Sequence, residues 1–404
     1  MTSDPRPIPQ SAIRNPQSVL TGAEQLRAEG FARLRGRRVG LLTNPTGVTV
    51  DLVPLADQLA AAPEVRLTAL FAPEHGLAAG AAAGDEISST VHPRLGVPVH
   101  SLYGERQSPT TEQLAELDLL LIDLQDVGAR FFTYASTVAL VLEACAGVGL
   151  PVLLLDRPNP LGGLVTEGPI LEPSCRSFIG PAPVPIRHGL TMGELARFMN
   201  DEGGYGAALE VLPLRGWRRS MWYDETGLPW VLPSPNLPTF ASAIPYPGTC
   251  LVEGTTLSEG RGTTLPFEQV GAPWLDADRL AAALNAREIP GVRWRPAAFT
   301  PWHGRIHVGV PCGGVQLHPT DREVFRPVEA ALHLLLEARA LAPAEFAWRP
   351  SLGDPTRPFI DLLAGTPRLR ESLDAGVGPA EIVAGWAPDL ARFAEARRPA
   401  LLYE

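Results

Sequence analysis

An acidic residue and a histidine stand together where an apolar stretch of the chain ends. Residues 67–72 are mostly apolar and predict a buried strand, Pro73 ends its hydrogen-bonding ladder, and Glu74 and His75 follow at once. Carboxyl and imidazole groups commonly act as general acids and bases, and open α/β sheets bind ligands at the carboxyl ends of their strands. Glu74 and His75 are therefore candidate catalytic residues. The alternative is that Glu74 caps the next helix and His75 hydrogen-bonds a loop.

Polar residues also follow the other strands predicted in the first half of the chain. Five such endings in succession predict one polar cleft along a single sheet edge. The remaining endings are Asn44 after 38–42, Tyr103 after 97–102, Asp123 and Asp126 after 118–122, and Asp156 and Arg157 after 151–155.

Strands alternate with helical segments through this half of the chain. Such alternation is typical of an open, mostly parallel sheet with helices on its faces, so we predict an α/β fold. A helix is expected from about Arg130 to Gly147, and Arg130 and Tyr134 would lie four residues apart on one of its faces.

The length of the chain predicts two domains. Its 404 residues, 45% of them hydrophobic, exceed what one ordinary core needs. The composition changes near 242–247, after an aromatic and proline-rich segment that includes Asn236. This segment resembles a carbohydrate-stacking surface, although inter-domain packing is the favoured interpretation. We predict a flexible arm over 1–17, a catalytic domain over 18–245 and a smaller α+β domain over 246–404.

A loop rich in glycine and threonine opens the second predicted domain. Residues 251–264 place Glu253, Glu259 and Arg261 among glycines, which let backbone N–H groups and a guanidinium approach a ligand closely. A solvent-exposed turn is the alternative, but it has little reason to hold two glutamates and an arginine together. Further along the chain, helices are predicted over 277–286 and 327–340, and strands near 292 and over 306–310.

The composition excludes several classes of function. A net charge of −10 opposes a nucleic-acid partner. All 34 basic residues are arginine, so neither a Schiff-base lysine nor a Walker-type phosphate loop is present. No G-x-G-x-x-G follows the first strand, and a nicotinamide cofactor is not expected. We predict no cofactor.

The same sequence gives expectations about the compartment. The N-terminus lacks the charged start and apolar run of a signal peptide, and no stretch is apolar for the roughly 18 residues that a membrane span needs. A cytoplasmic location without a membrane span is therefore expected. The four cysteines are far apart, which favours neither a zinc site nor a disulfide framework.

Six motifs, taken in order, resemble one family. The chain is similar to the NamZ-type exo-β-N-acetylmuramidases from about Arg38 to Tyr403. The motifs are Leu42–Gly47, Pro73–Gly76, Asp123–Tyr134, Asp156–Pro160, Pro233–Pro238 and Glu253–Thr263.

This resemblance implies a Rossmann-like, doubly wound N-terminal domain, a smaller C-terminal domain and an active cleft between them. It also implies removal of N-acetylmuramic acid from the non-reducing ends of peptidoglycan fragments. Glu74, in the Pro-Glu-His-Gly motif, matches the proposed catalytic acid of the family. Members of the family are often exported.

A glycoside hydrolase needs an acid and usually a second group that attacks or stabilises the oxocarbenium-like centre. The second group is left open among the acetamido group of the sugar and five side chains of the protein. Those side chains are Asp123, Asp126, Tyr134, Glu253 and Glu259.

The lactyl carboxylate of muramic acid calls for an arginine, because a guanidinium holds a carboxylate by two hydrogen bonds. Arg130, Arg157, Arg187 and Arg261 are the candidates, and Arg261 is favoured by its glycine neighbours. Asn44, Asp156, Asn236, Glu253 and Glu259 are further substrate-binding candidates.

Two other classes of function compete with this hypothesis. A two-domain cleft with aromatic and arginine residues also suits a non-catalytic peptidoglycan- or sugar-binding protein. A metal-dependent hydrolase would use His75, Asp123 and Asp126, whereas the dispersed His303, His307 and His318 suggest no metal site.

Overall fold

The structure, a computed structural model, describes residues 19–82, 84–85, 88–351 and 353–404. The arm predicted over 1–17 lies outside the described residues. Among the described residues, no helix is long and apolar enough to cross a membrane.

The first part of the chain alternates strands and helices. Its strands are β1 (Arg38–Thr43), β2 (Arg66–Ala72), β3 (Thr90–Val91), β4 (Pro98–Ser101), β5 (Leu119–Asp123), β6 (Val152–Leu155), β7 (Glu167–Ile170), β8 (Pro185–Arg187) and β9 (Leu209–Leu212). Its helices are α1 (Gly22–Ala28), α2 (Leu55–Ala61), α3 (Thr111–Ala115), α4 (Tyr134–Val148) and α5 (Met192–Glu202).

A seven-stranded sheet organises this part of the molecule. The strand order is β3-β4-β2-β1-β5-β6-β9, and every neighbouring pair is parallel except β3 with β4. The chain builds outward from β1 in one direction and from β5 in the other, so the strand order reverses between β1 and β5. Such a switch point opens a crevice at the carboxyl ends of the strands. The predicted doubly wound α/β fold is confirmed.

Helices cover both faces of this sheet, which explains the apolar strands. All five residues of β5 are buried, as expected for a central parallel strand. Leu26 of α1 and Leu55 of α2 pack on one face. Val138 of α4 and Leu195 of α5 pack on the other. Helix α4 is apolar around most of its circumference, and most of its residues are buried.

The second part of the chain contains short helices and a small sheet. Its strands are β10 (Gln269–Ala272), β11 (Val292–Phe299) and β12 (Cys312–Pro319), which form an antiparallel sheet in the order β10-β12-β11. Its helices are α6 (Phe240–Ala243), α7 (Tyr246–Thr249), α8 (Ala277–Asn285), α9 (Pro327–Leu341), α10 (Phe359–Ala364), α11 (Arg368–Asp374) and α12 (Pro379–Ala396).

One local prediction about this part is wrong. Residues 306–310 do not form a strand; the strand starts at Cys312, and the preceding residues form a loop over 300–311. His307 and Gly309 have positive φ angles of 55° and 75°, which are incompatible with extended backbone. The apolar residues of this segment alternate as they would in a strand, but the segment pairs with no strand of the described residues.

The two parts share one hydrophobic core. The largest buried cluster joins Phe132 and Val138 of the N-terminal part to Tyr246, Phe267 and Leu332 of the C-terminal part. The Phe132 and Tyr246 rings meet edge to face at 6.2 Å. The walls of the crevice between the two parts are therefore packed against each other at its base.

Candidate active site

The strand that ends at Ala72 delivers Glu74 and His75 to the crevice. Pro73 cannot extend the hydrogen-bonding ladder, and the chain turns sharply because His75 and Gly76 have φ angles of 71° and 76°. The left-handed conformation is costly for histidine, and the His75 Nδ1 atom lies 3.0 Å from the carbonyl oxygen of Ala81. The turn fixes the directions of both side chains.

Both oxygens of the Glu74 carboxylate are held. Oε2 accepts a 2.6 Å hydrogen bond from the Thr133 hydroxyl, and Oε1 accepts one of 3.1 Å from the backbone N–H of Gly84. Thr133 immediately precedes α4, so the helix determines where its hydroxyl lies. The Glu74 side chain is buried but lines a cavity, and it does not cap a helix.

Two neighbours of Glu74 are uncharged near neutral pH. Burial lowers the pKa of the His75 imidazole, although the adjacent carboxylate of Glu74 opposes this shift. Burial also raises the pKa of the Tyr103 phenol, and its hydrogen bond and charge interaction with Glu74 raise that pKa further. A neutral imidazole and a protonated phenol therefore flank the carboxyl group.

Glu74 opens into a cavity of about 590 Å³ between the two parts of the molecule. This volume is within the range of small-molecule sites, about 300–1,000 Å³. The sheet side contributes Glu74, His75 and Tyr103 with the rings of Phe131 and Phe132. The other side contributes, among others, Glu253, Arg261, Arg305, Asp354 and Arg357.

The glycine-rich loop supplies a tightly paired arginine. The Arg261 guanidinium forms ion pairs with both Glu253 and Glu259, the latter at 3.0 Å, and lies 4.8 Å over the Phe267 ring. Burial raises the pKa of Glu259, while the charge of Arg261 lowers it. Glu253 and Arg261 line the cavity, whereas Glu259 does not. The charge of Arg261 is thus balanced within the protein.

Asp123 and Arg157 lie at the same sheet edge but outside the lining of this cavity. Arg157 donates to the two carboxylate oxygens of Asp123 at 2.6 and 3.0 Å and to the carbonyl of Val48 at 2.9 Å. Both side chains are buried. The pair fastens the ends of β5 and β6 to the loop after β1.

Asn44 and Tyr134 form a buried hydrogen-bonded pair next to the backbone of Glu74. Asn44 Nδ2 donates a 2.7 Å hydrogen bond to the Tyr134 hydroxyl, which donates in turn to the carbonyl of Pro233. The same hydroxyl lies 3.5 Å from the Glu74 carbonyl oxygen. Asn236, three residues after Pro233, is buried as well. Asn44, Tyr134 and Asn236 do not line the cavity.

The remaining candidates also bind other parts of the protein. Asp126 accepts a 2.7 Å hydrogen bond from the backbone N–H of Gly128 and lies 3.3 Å from His188. Arg130 donates to the carbonyls of Pro169, Val184 and Leu363 at 2.8, 2.8 and 2.9 Å. Both residues therefore hold parts of the protein together, and neither lines the cavity.

Asp156 anchors the C-terminal end of the chain. Its carboxylate accepts hydrogen bonds from the Thr191 hydroxyl at 2.7 Å, the Gly193 N–H at 2.8 Å and the Tyr403 hydroxyl at 2.5 Å. Burial raises its pKa to about 6. Asp156 is remote from the cavity lining and connects the tail to the first sheet.

Sequence reasoning missed several residues of the cavity as site candidates. Thr133 lies within the Asp123–Tyr134 motif but inside the helix predicted from about Arg130. That helix begins instead at Tyr134, so Thr133 is the residue that precedes it. Arg305 and Arg357 lie in loops of the second domain, and neither belongs to a motif found in the sequence. Their positions depend on the packing of the second domain.

The described residues do not support a metal site at the strand ends. Within them, no three histidine, cysteine or acidic side chains converge to hold a metal ion. Of the three ligands considered, His75 lines the cavity, whereas Asp123 is paired with Arg157 and Asp126 lies beside His188.

A second cavity of about 560 Å³ lies elsewhere, between α5, α11 and α12. Phe198, Trp386 and Phe393 line it together with Glu202 and Arg392. It contains none of the strand-end residues or the glycine-rich loop. The cavity at Glu74 is therefore the candidate active site.

The chain is similar to known proteins over nearly its whole length. Two family models, described as the N-terminal and C-terminal domains of exo-beta-N-acetylmuramidase NamZ, match residues 39–241 and 244–403. A Bacillus subtilis (strain 168) protein named peptidoglycan beta-N-acetylmuramidase NamZ is 44% identical over 385 residues, which cover 95% of this chain and 91% of that protein.

Two crystal structures of DUF1343 family proteins from Bacteroides fragilis NCTC 9343 are similar over 96% of this chain. One is 35% identical with a TM-score of 0.87 and is covered completely; the other is 32% identical with a TM-score of 0.76 and is covered to 99%. The similarity in sequence and the similarity in fold thus both extend over nearly the whole length of this chain. The chain belongs to the NamZ family of exo-β-N-acetylmuramidases.

Proposed function

We propose that this protein is an exo-acting glycoside hydrolase that releases N-acetylmuramic acid from the non-reducing ends of peptidoglycan fragments during cell-wall turnover. Membership of the family and the name of the Bacillus subtilis relative support this substrate. The observation that carries the proposal is the Glu74 carboxyl, held at both oxygens and open to a cavity between the two domains.

Glu74 is the general acid of the proposed mechanism. Cleavage of a glycosidic bond requires a proton on the leaving oxygen, and a positioned carboxyl group supplies it. The hydrogen bonds from Thr133 and Gly84 fix the direction of the carboxyl group, and the His75 imidazole beside it is neutral because burial lowers its pKa. Phe131 and Phe132 help to keep the cavity apolar around the reacting bond.

The candidates for the second catalytic group differ in whether they line the cavity. Of the five side chains considered from the sequence, Glu253 alone lines the cavity with Glu74; Asp123, Asp126, Tyr134 and Glu259 do not. Glu253 is paired with Arg261, and this ion pair orients its carboxylate. The proposed mechanism therefore uses either Glu253 or the acetamido group of the sugar to stabilise the oxocarbenium-like centre.

Replacing the acid tests the proposal. Glu74→Gln keeps the size and the acceptor oxygen but removes the proton, so we expect kcat on a chromogenic β-N-acetylmuraminide to fall about 10²–10⁴-fold. The melting temperature should stay close to that of the wild type. Glu202→Gln, the same substitution in the second cavity, is the matched control and should retain full activity.

Two results would contradict the proposal. Near-normal turnover by Glu74→Gln would remove Glu74 from the acid role. Tight binding of muramic-terminated disaccharides by the wild type without any release of N-acetylmuramic acid would show the competing function, a non-catalytic sugar-binding protein.

A further inference from the structure

The cavity contains three arginines in different states. Arg261 is held between Glu253 and Glu259, and Arg357 donates to the carbonyl of Ser174. Arg305 lies exposed at the cavity mouth, and among the described residues no carboxylate forms an ion pair with it. The positive charge of Arg305 is therefore the one most accessible to a ligand.

Arg305 lies in the same corner of the cavity as the acid. A Cβ atom added to Gly84 would be 2.6 Å from Nη2 of Arg305, and the N–H of Gly84 donates to Glu74. Burial is the main cause of the raised pKa of the Tyr103 phenol. The positive charge of Arg305 is close enough to oppose part of this rise. A sugar bound against Glu74 would thus have the guanidinium within reach of its substituents.

The glycine-rich loop holds Arg305 in this place. The N–H of Trp302 donates to the carbonyl of Gly262 at 2.9 Å, and the His307 ring nitrogen lies 2.8 Å from the carbonyl oxygen of Thr256. The backbone of His303 also packs directly on Gly262, where a Cβ atom would be 2.1 Å from the His303 carbonyl oxygen. This contact gives the loop over 300–311 a fixed position.

We propose that Arg305 binds the lactyl carboxylate that distinguishes N-acetylmuramic acid from N-acetylglucosamine. This inference rests on the proposed muramidase function. The carboxylates of Glu253 and Asp354 line the cavity, so an anionic sugar needs a compensating cation there. A guanidinium matches a carboxylate by two parallel hydrogen bonds.

The arginines expected from the sequence do not fill this role in the structure. Arg130 and Arg187 are buried and donate to backbone carbonyls, and Arg157 is paired with Asp123. Arg261 lines the cavity, but two carboxylates already balance its charge.

The test compares a chromogenic β-N-acetylmuraminide with its lactyl methyl ester, which has nearly the same shape but no charge. We expect the wild type to prefer the acid in kcat/KM. Arg305→Gln should lower kcat/KM for the acid by about 10–100-fold, the size expected for a charged hydrogen-bonded pair, and abolish the preference. Its activity on the ester should stay within a few-fold of the wild-type value.

Arg357→Gln is the matched control, because Arg357 lines the same cavity and has a backbone partner. This variant should keep the preference for the acid. Equal losses on acid and ester in Arg305→Gln would give Arg305 a structural role and overturn the inference. Loss of the preference in Arg357→Gln alone would assign the carboxylate to Arg357.

Binding of the free sugars separates this inference from the proposed function. By calorimetry, the wild type should bind N-acetylmuramic acid at least 10-fold more tightly than N-acetylglucosamine, and Arg305→Gln should bind the two alike. A wild type that turns over neither substrate would reject the hydrolase, whereas equal affinity of the wild type for the two sugars would reject the role of Arg305.

Discussion

At the scale of single residues, the hydroxyl of Thr133 fixes the direction of the proposed acid. Its hydrogen bond to Glu74 is 2.6 Å long, shorter than the 3.1 Å contact from the Gly84 N–H on the other oxygen. A short hydrogen bond to a carboxylate is among the strong ones in proteins. The angle at which Glu74 meets a glycosidic oxygen therefore depends on the residue before α4 as much as on the end of β2.

Thr133→Val should lower kcat on the muraminide by about 10–100-fold. Valine has nearly the shape of threonine, but it removes a hydrogen bond to a charged group, which typically contributes about 1.5–3 kcal/mol. Thr133→Ser retains the hydroxyl and should keep most of the activity. The kinetics of both variants check this expectation, with melting temperatures to show that the fold is intact. A fully active valine variant would show that Glu74 is oriented by other contacts.

The strand-end residues show how far sequence reasoning reaches. A polar edge of a parallel sheet follows from apolar runs that end in Asp, Glu, Asn or Arg, and the structure has that edge. Which of these groups bind one another depends on contacts between distant parts of the chain. Asp123 is bound by Arg157, and Asp156 is bound by Tyr403, 247 residues away. Such pairings leave no local trace in the sequence.

At the scale of elements, the loop over 300–311 differs from the strand that its sequence predicts over 306–310. Its alternating residues Ile306, Val308 and Val310 have the period of a strand. The backbone instead turns at His307 and Gly309, and the packing of the glycine-rich loop against His303 determines its path. A strand pattern that begins at Ile306 gives no reason to expect the preceding Arg305 in the cavity.

Gly262→Ala should disturb this arrangement. The φ angle of Gly262 is 78°, and an added Cβ would be 2.1 Å from the His303 carbonyl oxygen, so the loop that carries Arg305 must move. We expect kcat/KM for the muraminide to fall at least 10-fold (about 1.4 kcal/mol).

Gly149→Ala provides the control for this substitution. Gly149 ends α4 with a φ of 70°, but no atom lies within 4 Å of its added Cβ. This variant bears the backbone strain, about 1–2 kcal/mol, without a displaced loop, and it should keep its activity. Kinetics and thermal unfolding of both variants distinguish the two effects. Equal activity of the two alanine variants would refute the coupling between the glycine-rich loop and Arg305.

At the scale of the whole molecule, buried polar contacts tie the two domains together around the cavity. Arg130 reaches the carbonyl of Leu363, and Glu167 of β7 accepts a 2.8 Å hydrogen bond from the N–H of Glu329 in the first turn of α9. Two contacts of this kind, added to the shared apolar core, hold the cavity walls at a fixed separation. The stability of the molecule should therefore respond to the ionisation of Glu167.

Burial raises the pKa of the Glu167 carboxyl from 4.5 to about 7, although the N–H of Glu329 and the charge of Arg187 oppose the shift. Because the folded-state pKa is above the unfolded-state value, this group stabilises the fold fully below about pH 4.5. The contribution is lost as the pH rises through 7. The pKa difference corresponds to about 3 kcal/mol at most.

Glu167→Gln should remove this part of the pH dependence. Glutamine keeps an acceptor for the N–H of Glu329 but does not ionise, so between pH 5 and 8 the unfolding free energy of the wild type should decrease relative to that of the variant. Chemical denaturation at several pH values measures how the unfolding free energy changes with pH. Any destabilisation by the amide itself is the same at every pH and does not alter this slope. The exposed Glu202→Gln should follow the wild-type slope, and a Glu167→Gln curve parallel to the wild type would mean that Glu167 does not titrate in this range.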